Sequence, residues 1–180
     1  MSSLLVVSGP PGSGKSTLAR IVADQFEKSV LVPGDAFFEY VAKGAIQPWF
    51  REAHAQNETV TRAAAAAAGR YALGGYLTVY DGIVGPWFLP TFLQASGVVS
   101  LDYLILLPSL DPCIERVATR LGHGFHDEGA TREMHRQFAK EKIPKRYLLV
   151  DPPDDSGQVA DSIVKLFERE YPTSILADIT

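Results

Sequence analysis

The chain has one cysteine in 180 residues, Cys113, so no disulfide can form within it. That usage fits a reducing compartment. No apolar run is long enough to cross a bilayer. The N-terminal apolar run, Leu4 to Val7, is short and is followed at once by a glycine-rich stretch, which excludes a secretory signal. The expectation is a soluble, cytoplasmic protein with no membrane partner. Positive charge is not in excess: Lys+Arg is 17 against Asp+Glu 21, a net charge of −4. A nucleic-acid surface needs a basic stripe, so this balance argues against one. His123, His126 and His135 lack the cysteine or third-ligand spacing of a metal site, and His54 has no partner in the sequence. The apolar fraction of 46% excludes disorder, and the length suits a single domain over 1–180.

What is present is sharper. Gly9-Pro10-Pro11-Gly12-Ser13-Gly14-Lys15-Ser16-Thr17 satisfies G-x-x-x-x-G-K-[ST] at every fixed position. It lies between a strand-like run, Leu4 to Ser8, and a helical run from Leu18 to Ala23, the context that the pattern requires. Glycines let the backbone wrap a polyphosphate with its N–H groups turned inward, and the following helix adds its positive end. The spacing assigns Lys15 to the β- and γ-phosphates and Ser16 to Mg²⁺. A nucleoside triphosphate is therefore the expected ligand. No Asn-Lys-x-Asp motif accompanies the loop, which argues against a guanine-nucleotide switch.

Further strand-like runs occur at Val30–Val32, Tyr76–Tyr80, Tyr103–Leu107 and Tyr147–Val150, with helical stretches between them. That alternation predicts a parallel sheet covered on both faces, an α/β three-layer sandwich. Arg51 to Leu73 is the longest helical stretch. Its alanine tract, Ala63 to Ala68, predicts close packing on the sheet, and Gly74-Gly75 predicts its end. Asp111 is the expected cap of a helix with Pro112 at its first position. A further helix is expected from Thr131, as cap, to Lys142, and a last one from Ser156 to Tyr171.

Two acids follow strands. Asp35 comes after the second run, where ligands bind in such sheets. It is a candidate general base for an incoming hydroxyl, or a cap for the next helix. Asp81 ends the third run and resembles a carboxylate that holds Mg²⁺, though a substrate contact fits equally. The next residue is Gly82 rather than a water-activating Glu, which favours transfer over hydrolysis. Arg116, Arg120, Arg132 and Arg136 form two i, i+4 pairs flanking a glycine-rich segment. Residues 115–146 hold eight Lys/Arg against five Asp/Glu. The cluster reads as a lid over about 115–140 that delivers Arg to the phosphates, with Arg120 and Arg132 foremost. The other reading is solvated helix faces bridged to Glu115, Glu133 and Glu141. Aromatics gather at Phe37, Phe38, Tyr40, Trp49 and Phe50, and again at Trp87, Phe88 and Phe92. They suit either an acceptor pocket, with Arg51, Asn57 and Arg62 as polar contacts, or ordinary core.

Taken in this order, the phosphate loop, Gly34-Asp35, Asp81-Gly82 and Arg116-x-x-x-Arg120 resemble the small P-loop kinases of the AAA-type ATP-binding family. Its neighbours include chloramphenicol phosphotransferase, gluconate kinase, zeta-toxin kinases and polynucleotide kinase domains. The resemblance covers nearly the whole chain. It implies five parallel strands in the order 2-3-1-4-5, and ATP and Mg²⁺ bound through Gly9, Gly12, Ser13, Gly14, Lys15, Ser16 and Thr17. It also implies Asp35 as base, Arg120 as lid arginine, and the segment containing Asp151 and Pro153 beside the adenine. Ala36, Phe37 and Phe38 stand where polynucleotide kinases tend to place an Arg. The expected activity is therefore transfer of the γ-phosphate to a hydroxyl of a small molecule. The alternatives are a 5′-hydroxyl polynucleotide kinase and an ATP-dependent switch.

Overall fold

The computed structural model describes residues 3–119, 125–150 and 156–168. Among them are five strands: β1 (Leu4–Ser8), β2 (Ser29–Pro33), β3 (Leu77–Asp81), β4 (Asp102–Leu107) and β5 (Leu148–Val150). All pair in parallel, in the order β2-β3-β1-β4-β5. The helices are α1 (Lys15–Asp24), α2 (Asp35–Glu39), α3 (His54–Leu73), α4 (Leu89–Ser96), α5 (Leu110–Thr119), α6 (Glu128–Lys140) and α7 (Ser156–Glu168). None of them is long and apolar enough to cross a membrane.

β1 lies at the centre and every one of its side chains is buried. Successive strand residues point to opposite faces, so Leu4 and Val6 join one core while Leu5 and Val7 join another. The second core is closed by α1 and α7 through Leu18, Val22, Ala160 and Val164. The first is closed by α3, α4 and α6 through Ala64, Ala68, Phe92 and Phe138. β2 is an edge strand, which is why it tolerates Pro33 and its missing N–H donor.

The alanine tract does what small side chains allow. Ala64, Ala65, Ala68 and Ala72 turn inward, and α3 lies close to both β3 and α4. Gly74 caps its end. Arg51–Ala53 form a separate 3₁₀ turn before it.

Several boundaries differ from the sequence expectation. α5 starts at Leu110, so Asp111 lies inside its first turn and is not the cap. α6 starts four residues earlier than a Thr131 cap implies, because Asp127 is its cap, accepting from the Ala130 amide at 2.8 Å. Thr131 is fully buried and its hydroxyl donates to the Asp127 carbonyl instead. Tyr147 belongs to a 3₁₀ turn before β5. α2 and α4 are short helices that the sequence reading did not isolate.

Gly69 marks the closest approach of α3 to α4: a Cβ built there would run into the Ser96 carbonyl. Gly69→Ala is expected to destabilise the fold by about 1–3 kcal/mol through overpacking, despite the better helix propensity of alanine. Urea denaturation should show a lower midpoint with an unchanged slope. An unchanged or raised midpoint would show that the two helices separate freely.

Candidate active site

The phosphate loop fills the gap between the end of β1 at Ser8 and the start of α1 at Lys15. Gly9, Gly12 and Gly14 all have positive φ, which turns the chain tightly around the space a phosphate would fill, and the Ser13 amide closes the turn on the Pro10 carbonyl at 3.2 Å. Gly14 caps α1 without any side-chain hydrogen bond, and the first turn carries no acid. The first-turn amides are thus left for an anion. Ser13 Oγ is buried without a hydrogen-bond partner among the described residues, and Lys15 is only 6% exposed. An unanswered hydroxyl and a buried lysine at a bare helix N-terminus fit a polyphosphate.

The loop rests on α5. A Cβ on Gly12, whose φ is 76°, would collide with the Cys113 carbonyl, and Arg116 Nη1 donates to the Gly12 carbonyl at 3.3 Å. Among the described residues of the predicted lid cluster, Arg116 is thus the arginine that reaches the loop. Arg132 instead pairs with Glu128 at 2.7 Å on the exposed face of α6, and Arg136 pairs with Glu133. Arg136 holds the Glu133 carboxyl below the usual carboxylate range. Of the acids named for the solvated-face alternative, Glu133 is seen in such a pair, while the partner of Arg132 is Glu128. Arg120, Asp151 and Pro153 lie outside the described residues. His126 and His135 bond the backbone carbonyls of Val117 and Pro108, and His54 stacks on Phe88.

The two acids arrive from neighbouring strands. Asp81 is level with Val7 on one side and Pro33 on the other. The ladder continues beyond the strands: Gly34 N–H donates to the Asp81 carbonyl at 2.7 Å, and Gly82 N–H to the Val7 carbonyl at 3.3 Å. Ser8 and Val84 exchange reciprocal hydrogen bonds at 2.8 and 3.0 Å, and the Tyr103 hydroxyl donates to the same Val84 carbonyl at 2.6 Å. Gly34 caps α2, so Asp35 sits inside the first turn and is not itself the cap. Beneath both turns lies Tyr80, whose ring end would meet a Cβ on Gly34 or Gly82. Burial, reinforced by the charges of Asp35 and then Asp81, pushes its phenol well above the ordinary range and keeps it neutral. Ser16 and Asp81 offer hard oxygen donors, the type that Mg²⁺ takes.

A cavity of about 330 Å³ opens beside the loop, and both Lys15 and Asp35 line it. Phe38, Trp49, Trp87 and Phe88 form much of its apolar wall. Asn57 lines it too, as expected. The remaining aromatics divide otherwise: Phe92 is fully buried core, Phe37 packs against that core, and Tyr40 and Phe50 are exposed. Arg62 pairs with Glu58 on the surface, and Arg51 is absent from the described lining. Thr61, Phe125, Met134 and Gln137 also line the cavity and were missed. Thr61 follows Asn57 by one helical turn, a spacing that would have found it.

The AAA domain family model matches residues 8–107, from the last residue of β1 to the end of β4. The chain belongs to this family. A cytidylate kinase of Archaeoglobus fulgidus is 28% identical over 127 residues, spanning 67% of this chain and 71% of that protein. A sugar kinase from Janibacter sp. HTCC2649 superposes with a TM-score of 0.66 at 21% identity, over 90% of this chain and 94% of that one. The Mycobacterium tuberculosis APS kinase, solved with AMPPNP and APS, gives 0.68 at 18% identity, over 92% and 96%. The fold is that of the P-loop kinases.

Gly12→Ala places a Cβ at positive φ against the α5 backbone. Strain of about 1–3 kcal/mol at such a position predicts ATP affinity lower by about tenfold or more. Calorimetric titration with ATP checks this, with circular dichroism confirming the fold. Unchanged affinity would show that the loop does not need its seat on α5.

Proposed function

We propose that this chain is an ATP-dependent phosphotransferase that moves the γ-phosphate to a hydroxyl group of a small molecule. The observation that carries the reading is that Lys15 of the phosphate loop and Asp35 after β2 line one cavity whose far wall is aromatic. Donor and acceptor would meet at the mouth of that cavity.

The loop amides and Lys15 hold the phosphates, and Ser13 adds its unanswered hydroxyl. Ser16 and Asp81 would hold Mg²⁺, which neutralises charge on the β- and γ-phosphate oxygens. The acceptor hydroxyl approaches from the aromatic side and gives its proton to Asp35. Its oxygen forms the new bond to the γ-phosphorus as the bond to the bridging oxygen breaks, and ADP leaves. The chain contributes mostly position and electrostatics, as phosphoryl transfer requires. Closure over the bound acceptor would exclude water and strengthen each charge interaction at the reacting centre. Arg120 and Arg132 remain the proposed lid arginines, with Arg132 leaving Glu128 on closure. Asp151 and Pro153 remain the proposed adenine contacts.

The relative named for cytidylate has an acceptor that carries a phosphate. A phosphate acceptor needs cations on its own side of the site. Among the described lining residues Lys15 is the sole cation, and it belongs to the loop. A neutral or donor-rich hydroxyl compound suits this cavity better.

Incubation with γ-labelled ATP, Mg²⁺ and fractionated metabolites is expected to place label on a small molecule. Asp35→Asn should lower that transfer by about 10²–10⁴-fold while ATP affinity is retained. Label released only as inorganic phosphate, or equal transfer by the variant, would refute the reading.

A further inference from the structure

The polar lining of the cavity is one-sided. Asn57 donates its amide to the Pro48 carbonyl at 2.7 Å, and a carbonyl can only accept, so the orientation of the side chain is fixed. Its Oδ1 is left buried without a hydrogen-bond partner among the described residues. Gln137 likewise gives an amide hydrogen to Glu133 Oε1 at 3.1 Å, which fixes the side chain's orientation and leaves its carbonyl oxygen as an acceptor for a ligand. Thr61 is only 6% exposed, lines the cavity, and its hydroxyl makes no hydrogen bond among the described residues. A buried oxygen without a partner, as Asn57 Oδ1 is among the described residues, is costly unless something else supplies one. Asn57 and Thr61 lie one turn apart on α3, so they share a face.

Charge points the same way. Asp35 and Glu39 lie at i, i+4 on α2, and both line the cavity. Lys15 is answered by phosphate once a nucleotide is bound, and Glu39 is then left facing the acceptor space. The walls present Trp49, Trp87 and Phe88, whose ring faces are electron-rich and attract cations.

Resting on the phosphotransferase reading above, we infer that the acceptor is an amine-bearing alcohol with an apolar, ring-containing body. Its ammonium group meets Glu39 and the ring faces, its other donors meet Thr61, Asn57 and Gln137, and its hydroxyl meets Asp35. Carboxylates, sulfates and phosphate monoesters find two like charges and few donors there.

Trp49 and Trp87 are the chain's two tryptophans, and both line the cavity, so intrinsic fluorescence reads occupancy without any turnover. Three probes share a phenyl ring and a benzylic hydroxyl: 2-amino-1-phenylethanol, 1-phenylethane-1,2-diol and mandelate. Each is titrated into the full chain with Mg²⁺ and a non-hydrolysable ATP analogue. The amine is expected to bind about tenfold more tightly than the diol, and mandelate more weakly than either. Glu39→Gln should remove most of the gap between amine and diol. Mandelate binding as tightly as the amine, an amine preference unaltered by Glu39→Gln, or no fluorescence response to the amine would each overturn the inference. Transfer of label from γ-labelled ATP is followed in parallel. An amine that binds selectively but never acquires label would refute the phosphotransferase reading and leave the selectivity of the cavity standing. Label appearing on mandelate in preference to the amine would do the reverse.

Discussion

Parallel pairing at the carboxyl ends of β1, β2 and β3 is the constraint on which the rest of this structure depends. In a parallel sheet every loop that follows a strand leaves by the same edge. Here the pairing runs past the strands themselves, through Gly34 to Asp81 and Gly82 to Val7. The reciprocal Ser8–Val84 bonds tie the start of the phosphate loop to the segment after β3. Lys15, Asp35 and Asp81 come from parts of the chain far apart in sequence, and this ladder brings their loops to one place. A one-residue slip of either pairing would turn the acids to the other face and separate them from the loop.

The two sides of the site solve opposite problems. The phosphate side is tight and polar. Gly12 removes a side chain where the α5 backbone lies close and Gly9 does the same at the Leu106 carbonyl of β4, while the start of α1 has no side-chain cap. The cavity side is roomy and apolar, with aromatic walls drawn from the segments after β2 and β3 and from Phe125 ahead of α6, and with Met134 and Gln137 added by α6 itself. Tyr80 lies beneath the turns that carry both acids and stays neutral through burial. It supports those turns without adding a charge to compete with theirs.

Much of this was legible in the sequence, for local reasons. The phosphate loop is dictated by close-range backbone chemistry, and β1 and β4 are apolar runs that stand out because both of their faces are covered. The strand order came from family resemblance, since spacing alone cannot rank crossovers. Local rivals shifted the helix starts: Asp127 outcompeted Thr131 as a cap because a carboxylate oxygen was already placed to take the Ala130 amide. Arg132 read as a lid arginine, yet Glu128 stands one turn before it and is within reach. The aromatics of the two loop segments could not be divided between core and cavity from sequence. Phe92 and Trp87 differ only in which way α4 and the loop before it turn. Gln137 carries no pattern of its own, and only the tertiary fold brings α3 and α6 to the same cavity.

The central claim is that a nucleotide held by the phosphate loop directs its terminal phosphate into the aromatic cavity. A crystal structure with Mg²⁺ and a non-hydrolysable ATP analogue tests this most directly. The account predicts the γ-phosphate within hydrogen-bond reach of Lys15 Nζ at the cavity mouth, facing the Asp35 carboxylate across the space left for an acceptor. A γ-phosphate turned away from the cavity, or a triphosphate bound elsewhere on the sheet edge, would contradict it.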